Sequence, residues 1–440
     1  MRNWAVIGVL ALSTVVAMAG EAGKGSEGFF ISDDDGLFTL NAEFLLQLQG
    51  TYLEEEVALA GDLYSGSANT DLDPRSDFLV RRARAAFFGS AFSPWLHFRF
   101  ELESSTDHDS LELLDAYIAM EFSEANNWKF GQFRTPFDLF EMIESKYQMF
   151  VERPVGTAGI DFRADGLSDI HALAPSRDIG LMYSGHTKSE RIHWKIAVQN
   201  GNGRNQTSND NNDFMTTLRL EFQNEGGFSY KATAAHHPER TEYTFGAAVT
   251  GNSVNNPMFG DGLIDLEFGG ECFVGVSRSC GYVTADNDAL EVFGALRTRA
   301  FQINASWQAW TFEQQALNAS GTLTDLDQTY WNVDFGGFVS DKRELAGRYG
   351  VIEFDDPVDI THMPGAADLK LTDREVSEWR AGVNHYFSEH NFKLMIDYGE
   401  VTVEDDELLI IEDSPLDATT ELGKREETSS GLRVMLAFFI

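Results

Sequence analysis

Basic charge is scarce in this chain. Against 70 Asp and Glu, the 440 residues set 33 Lys and Arg, a formal balance of −37. A phosphate backbone needs a basic footprint, so nucleic acid is excluded as a partner. Cysteine is scarcer still. The only two, Cys272 and Cys280, stand close together in CFVGVSRSC. A local disulfide clasping a loop suits an oxidising compartment, with free thiols or a metal pair as alternatives, although no second Cys/His pair at zinc-like spacing lies nearby. Long apolar runs are missing beyond the N-terminus, which excludes a transmembrane helix in the remainder of the chain. No serine stands in a G-x-S-x-G-like setting. His97 and His193 read as polar lining, and the Asp/Glu pairs are too many to single out a glycosidase pair. The chain is therefore not expected to be an enzyme.

The N-terminus carries MRNWAVIGVLALSTVVAMAG, with Arg2 ahead of a short apolar core and Ala17-Met18-Ala19 after it. This is a secretory signal, expected to span residues 1–19 and leave a mature domain of residues 20–440. A secreted chain without spanning helices is either soluble outside the cytoplasm or crosses a membrane as a closed barrel.

What fills the chain is alternation. In PWLHFRFELE, Leu96, Phe98, Phe100 and Leu102 share one face, and His97, Arg99, Glu101 and Glu103 share the other. LELLDAYIAMEF, RIHWKIAVQ, SEWRAGVNHYF and the closing GLRVMLAFFI repeat the pattern, as half-buried strands do. Short links such as Ser90 to Ser93 and Ser388 to Asn391 separate some segments. Long polar stretches separate others: Glu54 to Asp77, Thr135 to Ser176, Gly251 to Asp286, Glu353 to Asp373 and Glu400 to Ser429. Tight turns at one rim and long loops at the other give the layout of an all-β transmembrane antiparallel barrel. The strand-like segments number one too many for an even count. Phe228 to His236 is the weakest, and without it the expectation is a 16-stranded barrel. Trp95, Trp128, Trp310 and Trp331 near strand ends suit an interfacial girdle.

With the apolar parity facing lipid, the other parity lines the lumen. Its basic members include Arg82, Arg84, Arg99, Lys195, Arg219, Arg380 and Arg433, nearly balanced by acids such as Glu101, Asp115, Glu221 and Asp397. Arg81 in FLVRRARAAFFG has the wrong parity, which snorkelling or a β-bulge would reconcile. The surplus carboxylates fall in the long loops. Such clusters could hold Ca²⁺ or Mg²⁺, although solvated, self-repelling loops explain them as well. No other cofactor is expected.

In order along Phe78 to Gly203 stand RRAR with its following FFG, LLDAYIAMEF, KFGQFRTPF, SKYQMFVERP, RDIGLMYSG and WKIAVQNGNG. In this the sequence resembles the phosphate-selective porin O/P family; later strands match only in pattern. The resemblance implies a trimeric, 16-stranded porin of the Gram-negative outer membrane whose third external loop, about residues 135–176, folds into the barrel as a constriction. In phosphate-specific members that constriction is lined by paired arginines, the Asp of the DAY motif and a loop lysine. Carried over, this implicates Arg81, Arg82 and Asp115, with Arg84 beside them. The loop departs from the family. It offers Arg134 and Lys146, but Glu141 and Glu144 lie where the anion-binding lysine is sought. The chain also ends Phe438-Phe439-Ile440 where the family terminus is usually aromatic. The expected function is passive diffusion of small hydrophilic solutes, with inorganic anions such as phosphate foremost. Alternatives are a general or cation-preferring porin, and a structural or adhesive barrel.

Overall fold

The computed structural model describes residues 20–25, 28–60, 68–105, 111–123, 125–160, 173, 175–206, 209, 211–224, 227–254, 283–316, 326–355, 358–360, 368–411, 420–421 and 424–440. The expected signal peptide and both cysteines lie outside the described residues.

Sixteen antiparallel strands close on themselves. They are β1 (Thr39–Ala60), β2 (Ala68–Ser90), β3 (Leu96–Ser104), β4 (Glu112–Ser123), β5 (Asn126–Arg134), β6 (Arg177–His186), β7 (Ile192–Gln199), β8 (Met215–Gln223), β9 (Glu242–Val254), β10 (Val283–Arg297), β11 (Phe301–Ala316), β12 (Leu326–Ser340), β13 (Arg343–Asp355), β14 (Asp368–Ser388), β15 (Phe392–Ile411) and β16 (Lys424–Phe439). Each strand pairs with its sequence neighbour. β16 returns onto β1 with Phe439 opposite Leu45 and Lys424 opposite Ala60, which removes the sheet edge. Beneath this seam the hairpin Glu21–Gly25/Gly28–Ser32 continues along the foot of β1. Phe44 and Ile440 exchange main-chain hydrogen bonds of 2.9 and 3.0 Å there.

The alternation sorts the side chains as expected. On β16, Leu432, Leu436 and Phe438 are exposed on the outside while Arg433, Met435, Ala437 and Phe439 are buried within. Phe228 to His236 is not a strand. Two expectations need correction. First, three of the long polar stretches are tall hairpins: β1 runs to Ala60 opposite β2, β13 and β14 extend to Asp355 and from Asp368, and β15 and β16 to Ile411 and from Lys424. The alternation persists through the acidic residues, with Glu55 and Val57 both turned inward and buried, so ladder pairing satisfies the backbone where charge suggested a loop. Second, Trp310 belongs to no girdle. It is buried inside, with its ring 5.3 Å from that of Phe137. Trp95 does stack on Phe122 at the tight-turn rim.

The wall is uneven in height. β3 to β8 span only 8 to 12 residues each, whereas β1, β2, β14 and β15 span 20 to 23.

Candidate functional site: the constriction

The connection between β5 and β6 crosses the lumen. It opens with Asp138 capping the short helix α1 (Leu139–Met142), passes a 3₁₀ turn at Ser145–Tyr147, and includes a second short helix, α2 (Val155–Ala158). Its main chain hydrogen-bonds the far wall. The N–H groups of Leu139, Val151 and Val155 donate to Glu291 of β10, Asp397 of β15 and Glu378 of β14, at 2.6, 2.8 and 2.8 Å. In return Lys393 and Asn384 donate to the carbonyls of Gln148 and Met149, at 2.6 and 2.8 Å. A loop inside a barrel has to find such partners, because each buried main-chain group left unpaired is costly. Phe137 and Val155 pack on an apolar patch of inward residues, among them Trp310, Ile352, Val376 and Val403. The lumen parity thus turns apolar where the loop docks.

Opposite stands β2, and here the parity problem is resolved. Gln47 of β1 faces Arg82 and the next residue, Leu48, faces Val80, leaving Arg81 as the extra residue of a β-bulge. Both guanidinium groups therefore turn to one side, and both meet Glu152 of the loop. Arg82 binds it bidentately at 2.8 and 3.4 Å and also donates to Gln47 Oε1 at 3.0 Å, while Arg81 pairs through Nε. The Glu152 carbonyl accepts from Arg348 of β13 at 2.9 Å. Burial by itself would raise the Glu152 carboxyl, but Arg82 and Arg81 outweigh it and hold the group well below its ordinary range.

Around this pair the charges form a closed network. Glu141 of α1 lies 3.3–3.5 Å from Arg134, Arg153 and Arg177. Asp115 is held by Arg177 at 3.0 Å and Arg99 at 3.6 Å. Arg99 also meets Glu101 at 2.6 Å and Glu43 at 3.6 Å, and Arg84 pairs with Glu101 and Glu103. Lys146 lies 3.4 Å from Glu43 and 3.1 Å from Glu144, over the ring of Phe439. Among the described residues, eight cations (Arg81, Arg82, Arg84, Arg99, Arg134, Lys146, Arg153, Arg177) form ion pairs with seven carboxylates (Glu43, Glu101, Glu103, Asp115, Glu141, Glu144, Glu152). A small, partly open pocket lies between β1–β3 and the loop, lined by Arg84, Arg99, Glu101, Glu144 and Lys146 among others. Of these, Glu144 is the most open to water, at 44% exposure against 9% for Lys146 and 17% for Arg99.

The model of the family "Phosphate-selective porin O and P" matches residues 60–258. Over that segment, a little under half of the chain, the sequence is similar to the porin O/P family. Among solved structures, a loop-deletion form of OmpT, an outer membrane protein of Vibrio cholerae, shares 14% identity over 90% of this chain and 98% of its own, with a TM-score of 0.50. An anion-selective porin from Comamonas acidovorans shares 11% identity over 90% and 99%, with a TM-score of 0.49. At the first of these likenesses the fold is shared, a closed porin barrel. The comparison with curated proteins finds no match. The likeness to that family and the closed barrel together place this porin in the outer membrane of a Gram-negative bacterium and point to a channel.

Of the residues singled out from sequence, Arg81, Arg82, Arg84, Arg99, Asp115, Arg134 and Lys146 come together at the constriction, each with an opposite charge. The others lie elsewhere on the wall. Lys195 meets Glu221 at 3.2 Å, Arg433 meets Asp397 at 2.9 Å and Arg380 lies against Glu378. Arg219 has no exposed surface; it is sealed between Glu221, Glu291 and the ring of Phe293. Cys272 and Cys280 lie outside the described residues. No group of metal-ligating side chains occurs among the described residues.

Sequence reasoning missed Glu152, Arg153, Arg177 and Glu43. Glu152-Arg153 closes the motif SKYQMFVERP and Arg177 opens RDIGLMYSG. The available signal was charge inside otherwise apolar or turn-forming motifs, without any indication of which partner each would find.

Proposed function

We propose that this porin is a passive channel for small hydrophilic solutes with weak charge selectivity, a general porin on the porin O/P scaffold. One observation carries the reading: Glu152 occupies both arginines of the bulged pair, where the resemblance would place a passing anion. Selectivity follows the local field in a narrow passage. Among the described residues, the eight cations and seven carboxylates that pair there nearly cancel, and Glu144 presents the most open charge in the mouth of the opening. Phosphate selectivity is the second reading, favoured by the cation density and by Arg177, whose second terminal nitrogen is buried without a hydrogen-bond partner among the described residues.

The test is the reversal potential of the purified protein in a planar bilayer under a KCl gradient, repeated with phosphate. A modest potential and no block by phosphate are expected. A strong anion preference with block would establish the second reading, and no conductance at all would refute the channel.

The same proposal includes cleavage of residues 1–19 and assembly as a homotrimer. The low wall of β3 to β8 supports the latter. It carries exposed Phe100, Ile118, Phe122, Phe130 and Leu181 on a side too short to match the tall strands, and neighbouring subunits would cover it.

A further inference from the structure

One tight-turn connection is unlike the others. β8 and β9 are joined by residues 224–241, against three residues between β10 and β11 and two between β12 and β13. The described part of this connection turns into the lumen. Arg297 of β10, itself without exposed surface, donates to the carbonyls of Ser229 and Lys231 and lies over the ring of Phe228 at 4.1 Å. Asn304 of β11 donates to the Ala232 carbonyl at 2.8 Å, Gln302 accepts from the Ala234 N–H at 3.3 Å, and Tyr386 of β14 reaches Thr233 at 3.2 Å. Ala232, Thr233, Ala234 and Ala235 are all buried.

The segment also touches the constriction loop. The N–H of Ala232 donates to the Tyr147 carbonyl at 3.0 Å, and Ala232 packs with Phe140, Ile143, Met149 and Phe150 in one apolar cluster inside the barrel. The loop is thus held from both rims. Its own stems anchor it from one side and this segment braces its 3₁₀ turn from the other.

We infer that residues 227–238 are a second constriction element: they close the lumen beneath the loop on the β10–β14 side, fix the position of Tyr147, and so set the width of the passage and the size of solute that crosses. This rests on the channel reading above. It places the open path on the opposite side, where charges retain some exposure, 17% for Arg99 and 44% for Glu144 against none for Arg219 and Lys393. An irregular segment would not be folded into a lumen and given this many specific hydrogen-bond partners for its main chain merely to join two strands, since short turns serve elsewhere on the same rim.

The test compares wild type with two variants of the full-length barrel. In one, residues 227–238 are replaced by a short Gly/Ser turn; in the other, Arg297→Met removes the clamp and keeps the segment. Folding is read from the mobility of the unheated protein in SDS, and passage from single-channel conductance in KCl and from liposome swelling with neutral sugars of graded size. The expected result is a conductance raised at least about twofold in the replacement, a smaller rise or noisier open level in Arg297→Met, and entry of larger sugars in both. Folded variants with wild-type conductance and size limit would overturn the inference, as would a loss of thermal stability with no change in either readout. If the replacement does not fold, Arg297→Met decides. A silent wild-type protein would refute the channel itself and is distinguished by that control.

Discussion

Replacing Glu152 by glutamine removes one negative charge from between Arg81 and Arg82 and leaves the loop's main chain, with its carbonyl bound to Arg348, in place. The described ion pairs of the constriction then set eight cations against six carboxylates. For a monovalent ion about 6 Å from the pair in a water-filled opening, one unit charge is worth about 0.7 kcal/mol. The change favours anions by that amount and disfavours cations equally, so their permeability ratio shifts by about 1.4 kcal/mol, close to tenfold toward anions. Screening lengths of about 10 Å at 0.1 M salt leave most of this visible at moderate concentration and little of it at 1 M. The assay is the reversal potential under a KCl gradient near 0.1 M, with Glu152→Asp as the control that keeps the charge. A ratio within about twofold of wild type would show that ions in the passage do not sense Glu152, and the account of neutralised arginines would fall.

Two further perturbations address the loop and the wall. Burial, and then the nearby Glu291, push Asp138 up to about 7 from an ordinary value of 3.8, so the docking it supports is fully present in acid and is lost as pH rises through 7. Asp138→Asn keeps one oxygen to accept from the Phe140 N–H and turns an amide N–H donor toward the Thr157 hydroxyl, as the protonated acid turns its O–H. Open-channel noise should therefore grow above pH 7 in wild type and stay flat in the variant, and superimposable curves would show that Asp138 does not titrate in this range. On the wall, Gly131 of β5 has φ +129°, and a Cβ there would collide with the carbonyl of Ala116 on β4. Gly131→Ala should lower the barrel's unfolding temperature through a strain of about 1–3 kcal/mol, read from heat-dependent SDS mobility, and an unchanged transition would contradict that geometry.

The barrel was legible in sequence because its cause is local. Period two on β14 and β16 sends Trp379, Val383 and Leu432 outward and Glu378, Asn384 and Arg433 inward without reference to any other part of the chain. The bulge at Arg81 was half legible: the parity conflict was visible, but only the pairing with Gln47 and Leu48 shows how it is resolved. Charge misled at Glu54 to Asp77, where acidic residues continue a ladder. The inward apolar residues Ile352, Phe354, Val376 and Val403 carry no local mark of the loop that covers them. The constriction itself was legible only as a list of residue types. Glu152 meets Arg82 across 70 positions of sequence, and nothing local to either residue announces the other.

That distinction bears on what a likeness to a family can say about selectivity. The fold of the segment 60–258 is held by strand pairing and alternation spread over every strand, so it survives many substitutions. The field at the constriction depends on a few side chains within a few ångströms, and a single carboxylate in the loop neutralises two arginines that the wall supplies. A wall motif such as RRAR therefore reports the scaffold, while the residue that meets it from the loop decides whether an anion finds an open guanidinium. In this porin that residue is Glu152, and on the reading proposed above it is the loop that sets the selectivity of the passage.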